Sequence, residues 1–186
     1  MFLYKIDEDV ALKLIELKDA ERVFELTNNS RAYLREWLPW LDFTTKLDDT
    51  KGFINICLKG YFENKSMNTV ILFKGEIVGV AGFNEINWSN KTGYIGYWLG
   101  EEYQGNGIMT KVARALVDYA FKELNLNKVE IRVATENRKS RGIPEKLGFV
   151  KEGSIRQAEW LYDHYVDHVV YGMLTEEWDE ACLLNM

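Results

Sequence analysis

Apolar residues recur along the chain at two different periods, and the switches between them lay out its elements. Residues 10–17 place Leu12 and Leu14 on one side at a period of two, which predicts a strand. From Lys18 the period lengthens, so that Ala20, Val23, Phe24 and Thr27 share one side of a helix with Asp19 placed to cap it. Residues 30–43 pack Trp37 and Trp40 around Pro39, and because the residue before a proline is disfavoured in a helix, a helix here should stop near Leu38. Asp48 and Asp49 open another helix that runs through Phe53, Ile54, Ile56, Cys57 and Leu58 to about Phe62.

The middle of the chain is β-rich. Residues 68–73 and 77–83 are strands joined by Lys74-Gly75-Glu76, a connection of hairpin length, and a turn over residues 87–91 leads to an aromatic, β-branched strand at residues 94–99. These three form an antiparallel meander. Ile108, Val112, Leu116, Ala120 and Leu124 then recur every fourth residue as the buried side of a long helix, and residues 128–134 alternate apolar and charged as a strand with one wet face. Strand, helix and strand in succession predict a right-handed crossover between parallel strands. Residues 135–149 read as a polar turn, a short helix and a glycine stop, with Pro144 tolerable only near that helix's start. A strand follows from Val150, residues 160–162 end it or loop, and residues 165–174 form the last strand. The order implies a mixed α/β fold in one domain over residues 1–186, with about seven strands flanked by helices.

Composition narrows the class. At 186 residues, 47% hydrophobic and 28% charged, the chain describes an ordinary soluble globular protein, and the absence of a signal-like start or a bilayer-length apolar run points to the cytoplasm. Cys57 and Cys182 are in no metal-like spacing and read as free thiols. A net charge of -6 argues against a nucleic-acid partner and for cationic ones. His164 and His168, four apart, lack the glutamate of a His-Glu-x-x-His site, so no metal is expected.

The stretch from Glu101 to Thr110 is where chemistry is expected. Gly105 and Gly107 permit positive φ at a bend from strand to helix, and the first amides of that helix lack intrahelical partners, which suits phosphate. Lys111, Arg114, Arg138, Lys139 and Arg141 lie near enough in sequence to meet remaining phosphate charge. The aromatic segment around Trp37 and Trp40 serves as a core corner, as one wall of a substrate groove or as a homodimer contact.

Gln104-Gly105-Asn106-Gly107-Ile108-Met109-Thr110, together with Asn137-Arg138-Lys139-Ser140 and Lys146-Leu147-Gly148-Phe149, resembles the motifs of the GCN5-related N-acetyltransferase superfamily. Within it, the chain is similar to the RimJ/RimL branch acting on N-terminal amines of ribosomal proteins and other amines. The resemblance implies a sheet splayed between residues 94–99 and 129–134, with acetyl coenzyme A as co-substrate. Its pyrophosphate would lie on Gln104, Gly105, Asn106, Gly107, Ile108, Met109 and Thr110, where Met109 stands in place of a small residue and should crowd it slightly. Its pantetheine arm would pair with the backbone of Tyr97, Trp98 and Leu99, near the Asn137–Ser140 turn. An amide near Leu99 would polarise the thioester, Ser140 would protonate the leaving sulfur unless it only caps a helix, and Glu159, or else Glu85, would be the base. The implied acceptor is a protein α-amino group; a small amine such as an amino sugar or polyamine is the rival, and a coenzyme A-binding module without turnover a third reading.

Overall fold

The structure, a computed structural model, describes residues 3–178. Cys182 lies outside them. One sheet of eight strands runs through the described residues in the order β1-β2-β3-β4-β5-β6-β8-β7. The strands are β1 (Leu3–Lys5), β2 (Val10–Leu14), β3 (Met67–Phe73), β4 (Glu76–Asn87), β5 (Thr92–Leu99), β6 (Lys128–Ala134), β7 (Val150–Leu161) and β8 (His164–Leu174). The helices are α1 (Ala20–Asn29), α2 (Arg31–Arg35), α3 (Leu47–Phe62), α4 (Ile108–Lys122) and α5 (Arg138–Lys146). Eight strands replace the expected seven because β1, three residues long, is too short to show an alternation; it pairs antiparallel with β2 beyond a turn in which the Asp7 carboxylate accepts the amides of Asp9 (2.9 Å) and Val10 (2.8 Å).

Periodicity placed most of the rest. β3, β4 and β5 form the expected meander, and β5 and β6 pair parallel across α4. The apolar side of α4, including Val112, Leu116 and Ala120 at 0% exposure, packs on one face of the sheet. Each such Val or Leu contributes about 1.5–3 kcal/mol of burial. On the other face α1 and α3 close a smaller core around Ile15, Val23, Ile54, Val70 and Val80. Asp19 holds the N-cap position of α1, but its carboxylate reaches back to the Glu16 amide (2.9 Å) and Lys13 Nζ (2.6 Å) instead of capping forward.

The parallel pair opens part-way. β5 and β6 are in register from Thr92↔Lys128 to Ile95↔Ile131, after which Gly96 to Leu99 stay with β4 while β6 continues beside β8 to Ala134. The splay leaves a wedge-shaped gap in the middle of the sheet.

Cys57, in the smaller core, supplies a pH test. Burial pushes its thiol from 9.0 up to about 12. Below pH 9 both folded and unfolded chains keep the proton; above it the unfolded chain releases its proton first, so this contribution to stability is lost between pH 9 and about 12. The urea midpoint should therefore fall more steeply above pH 9 in the native sequence than in Cys57→Ala, and parallel pH profiles would contradict the burial of that thiol.

Candidate active site

A cavity of about 760 Å³ fills the gap and is walled on one side by Val23 and Thr27 of α1 and Thr50 and Phe53 of α3. Strand alternation decides what faces it. Gly100 spends its amide on the Val78 carbonyl (2.9 Å), so Trp98 also faces β4 and the polar backbone groups of Tyr97 and Leu99 face the gap, where β6 has moved away. These groups can pair with an extended ligand laid in the gap like an added strand, or donate to a carbonyl placed there.

The glycine bend lies between β5 and α4. Gly105 (φ 78°) and Gly107 (φ 70°) are both left-handed, and an added Cβ at either position would meet no protein atom within 4 Å, so the conformation requires glycine here while the outer face stays open. The first bond of α4 runs from the Lys111 amide to the Gly107 carbonyl (3.3 Å), leaving the amides of Ile108, Met109 and Thr110 without intrahelical acceptors. Such an end can hold a phosphate. Met109 does not crowd it: its side chain is in the main core at 8% exposure, because at the second position of α4 it falls on the helix's buried side. Asn106, though exposed, folds back on its own loop, its Nδ2 donating to the carbonyls of Tyr103 (3.1 Å) and Gln104 (3.2 Å), and so braces the bend.

The cations expected beside this bend divide. Lys111 pairs with Asp7 (2.6 Å), and Arg141 donates to Tyr171 Oη (2.9 Å) and the Thr135 carbonyl (2.9 Å), facing β8. Arg114 lies over the Trp178 ring. Lys139 sits over the ring of Tyr33, whose hydroxyl in turn meets Gln104, so it remains beside the loop.

Ser140 does not cap a helix. Asn137 is the N-cap of α5 and its side chain accepts the Ser140 amide (3.1 Å), which leaves the Ser140 hydroxyl free to point at Tyr97 Oη (3.4 Å). Pro144 explains the rest of this contact. Contrary to expectation it lies in the last turn of α5, where its missing N–H leaves the Ser140 carbonyl without its helical partner. The phenol of Tyr97 fills the vacancy, donating to that carbonyl (3.2 Å). Burial pushes the Tyr97 phenol up to about 12, so it stays neutral and acts as a fixed hydrogen-bonding group. Tyr97→Phe should cost about 1–3 kcal/mol by stranding the carbonyl. In the double variant with Pro144→Ala a restored N–H takes the place of the phenol, so urea titrations of the four proteins should show coupling on the order of 1 kcal/mol; strict additivity would contradict the link.

Across the gap, on the α1/α3 side, lie Glu85 and Glu159. Glu159 arrives there through a bulge in β7: Ile155 opposes His168 and Glu159 opposes Val166, with the intervening Gln157 left-handed (φ 48°) and its amide held by Asp167 Oδ1 (2.7 Å). The charged face of β6, expected to be wet, is the cavity floor. Glu130 is 7% exposed and bonded to Arg132 (2.6 Å). Trp37, Leu38 and Trp40 are half-buried and line the cavity, with Trp40 packed on Trp98 at 6.1 Å between ring centroids. That segment therefore forms one wall of the cavity.

This wall is fastened from outside. Tyr162, at the β7–β8 turn, donates to the Leu38 carbonyl and accepts the Leu41 amide (3.2 Å), and Arg35 stacks on its ring at 3.8 Å while holding Asp42. Sequence reasoning missed the Tyr97 hydroxyl, Tyr162 and His168 as site groups. For Tyr97 a signal existed, since its parity with Ile95 and Leu99 aims it at α5.

Residues 9–150 match the model of the acetyltransferase (GNAT) domain. The chain belongs to that family. It is an acetyl-CoA-dependent N-acetyltransferase. It is 34% identical over 180 residues to a putative ribosomal N-acetyltransferase, YdaF, of Bacillus subtilis (strain 168), covering 96% of this chain and 98% of that one. It is 29% identical over 176 residues to the ribosomal-protein-serine acetyltransferase of Escherichia coli (strain K12), covering 92% and 96%. Among solved structures, RimL, a ribosomal L7/L12 alpha-N-protein acetyltransferase in complex with coenzyme A, superposes with a TM-score of 0.91 at 25% identity, over 95% of this chain and 99% of that one. Among the described residues no group of three or more His, Cys, Asp or Glu side chains is placed to hold a metal ion, and no helix is long and apolar enough to cross a membrane.

Proposed function

We propose that the protein acetylates an α-amino group at the N-terminus of a ribosomal or similar protein in the cytoplasm, by direct attack of the amine on the thioester. One observation carries the reading: a single cavity in the splayed gap brings Ser140 together with the carboxylates of Glu85 and Glu159, and β5, which borders it, runs on into the phosphate-suited bend. Acetyl coenzyme A then lies with its pyrophosphate on the amides following Gly105 and Gly107, between the Gln104 and Asn137 ends, and with its arm along Tyr97, Trp98 and Leu99. The Leu99 amide meets the thioester oxygen as negative charge develops, Ser140 hands a proton to the sulfur, and Glu159 receives the acceptor amine, with Glu85 the second candidate. The relatives named for ribosomal-protein acetylation support this acceptor.

An α-amino group suits such a site. With a reference pKa of about 7.7–8.0, on the order of a tenth of it is already neutral at pH 7, whereas a lysine at about 10.4 is almost wholly charged. A second reading, a small polyamine acceptor, is favoured by the carboxylates of Glu85, Glu130 and Glu159 around one cavity and by 30% identity over 158 residues to a spermidine N(1)-acetyltransferase of Escherichia coli (strain K12). Thiol release from acetyl coenzyme A, measured against a panel of N-terminal peptides, polyamines and amino sugars, separates them. Turnover with peptides is expected; turnover with small amines alone would overturn the first reading.

A further inference from the structure

His168 stands in the cavity without a task in the scheme above. It projects from β8 opposite Ala134 of β6, on the face shared by Val166 and, through the β7 bulge, by Glu159. Its Nε2 lies 3.4 Å from Glu159 Oε2, an ion-pair distance, and its side chain is only 16% exposed. The other histidine, His164, is at the exposed end of β8 with Asp163 (2.6 Å) and contributes nothing to the cavity. The backbone behind His168 is fixed, because the carbonyl of Asp167 accepts both the amide (2.9 Å) and hydroxyl (3.1 Å) of Thr135 while its carboxylate holds Gln157. The bulge, its left-handed residue and this clamp converge on one result: a carboxylate and an imidazole side by side where the acceptor amine must enter.

The chemistry of the acceptor gives that pairing a purpose. A protonated α-amine must lose a proton before it can attack. Between free groups in water, transfer from such an amine to a carboxylate runs uphill by about 3.5 pKa units, whereas transfer to an imidazole, which titrates near 6.5, runs uphill by only about 1.3. An imidazole is thus the better proton sink by roughly two powers of ten.

We infer that His168 is the proton-accepting partner of Glu159: the incoming ammonium is received by the Glu159 carboxylate, and its proton passes to His168 Nε2. The inference rests on the proposed acetylation of an amine and goes beyond it by dividing the base between two residues. The step balances as ammonium plus neutral imidazole giving amine plus imidazolium, with Glu159 unchanged, and the imidazolium then returns its proton to solvent. The neutral amine forms the C–N bond as the C–S bond breaks, and the further proton its nitrogen sheds replaces the one that Ser140 gives to the leaving sulfur. Other charged groups around His168 are committed or distant in role: Glu130 and Arg132 of β6 pair with each other, Asp167 is held by Gln157, and Glu85 of β4 and Tyr94 of β5 line the cavity from its far side.

The test is the pH dependence of His168→Gln, read against the native enzyme with an N-terminal peptide. At pH 7 the variant should lose about tenfold to hundredfold in kcat/KM. At pH 9, where the α-amine is mostly neutral without help, the loss should shrink to within about threefold. Coenzyme A affinity, which the scheme gives to the bend and to the backbone of residues 97–99 and not to His168, should be unchanged and reports that the variant is folded. His168→Asn serves as a second variant should the first fail that check. A loss equal at both pH values, or none at pH 7, would overturn the inference while native turnover stands. Absence of native turnover with any amine would instead overturn the function on which it rests.

Discussion

Ser140→Ala should lower kcat by roughly 10²–10⁴-fold, the range over which a positioned proton donor acts. The hydroxyl is not occupied with capping, since Asn137 does that, and its one contact is the long approach to Tyr97 (3.4 Å). It is therefore available to turn toward a sulfur lying in the gap, with the phenol, fixed by the carbonyl that Pro144 leaves open, behind it. Coenzyme A affinity should change by no more than about tenfold, because at most one ordinary hydrogen bond, about 0.5–1.5 kcal/mol, is at stake in binding. Parallel loss in turnover and affinity would make Ser140 a binding residue.

Gly107→Val should act on the other quantity. The left-handed φ of 70° costs a side chain about 1–2 kcal/mol, more for a β-branched one, and the chain escapes that strain only by re-aiming the amides of Ile108 to Thr110. Hydrogen bonds to a charged group are worth about 1.5–3 kcal/mol each, so losing one or two weakens coenzyme A by roughly 10–10³-fold or more. The fold should survive, because the space around the position is open. Calorimetric titration with coenzyme A, paired with a melting curve, reads both. Unchanged affinity in the folded variant would move the phosphate site elsewhere.

The parts of this arrangement that local pattern determines were legible in the chain itself. A strand, a glycine bend and an apolar helix stripe suffice to place β5, the bend and α4, and the charged alternation of residues 128–134 suffices for β6. What was hidden depended on long-range register. Whether Glu130 met solvent or a cavity floor turned on the parting of β5 from β6 after Ile95. The facing of Glu159 and His168 turned on a bulge whose left-handed residue is Gln157, a residue type with no preference for that conformation. The meeting of Tyr97 with Ser140 turned on a proline in the last turn of α5, where single-sequence rules place none. Tyr162, which fastens the aromatic wall, sits more than a hundred residues from the carbonyl it holds.

A mass spectrum tests the acceptor most directly. A peptide with a free N-terminal serine or alanine and no lysine, incubated with the protein and acetyl coenzyme A, should gain one acetyl group on its α-amine, and the same peptide with that amine blocked should gain none. An unmodified free peptide beside an acetylated polyamine would contradict the acceptor assigned here, and no acetylation of any amine while coenzyme A binds would contradict the reaction itself.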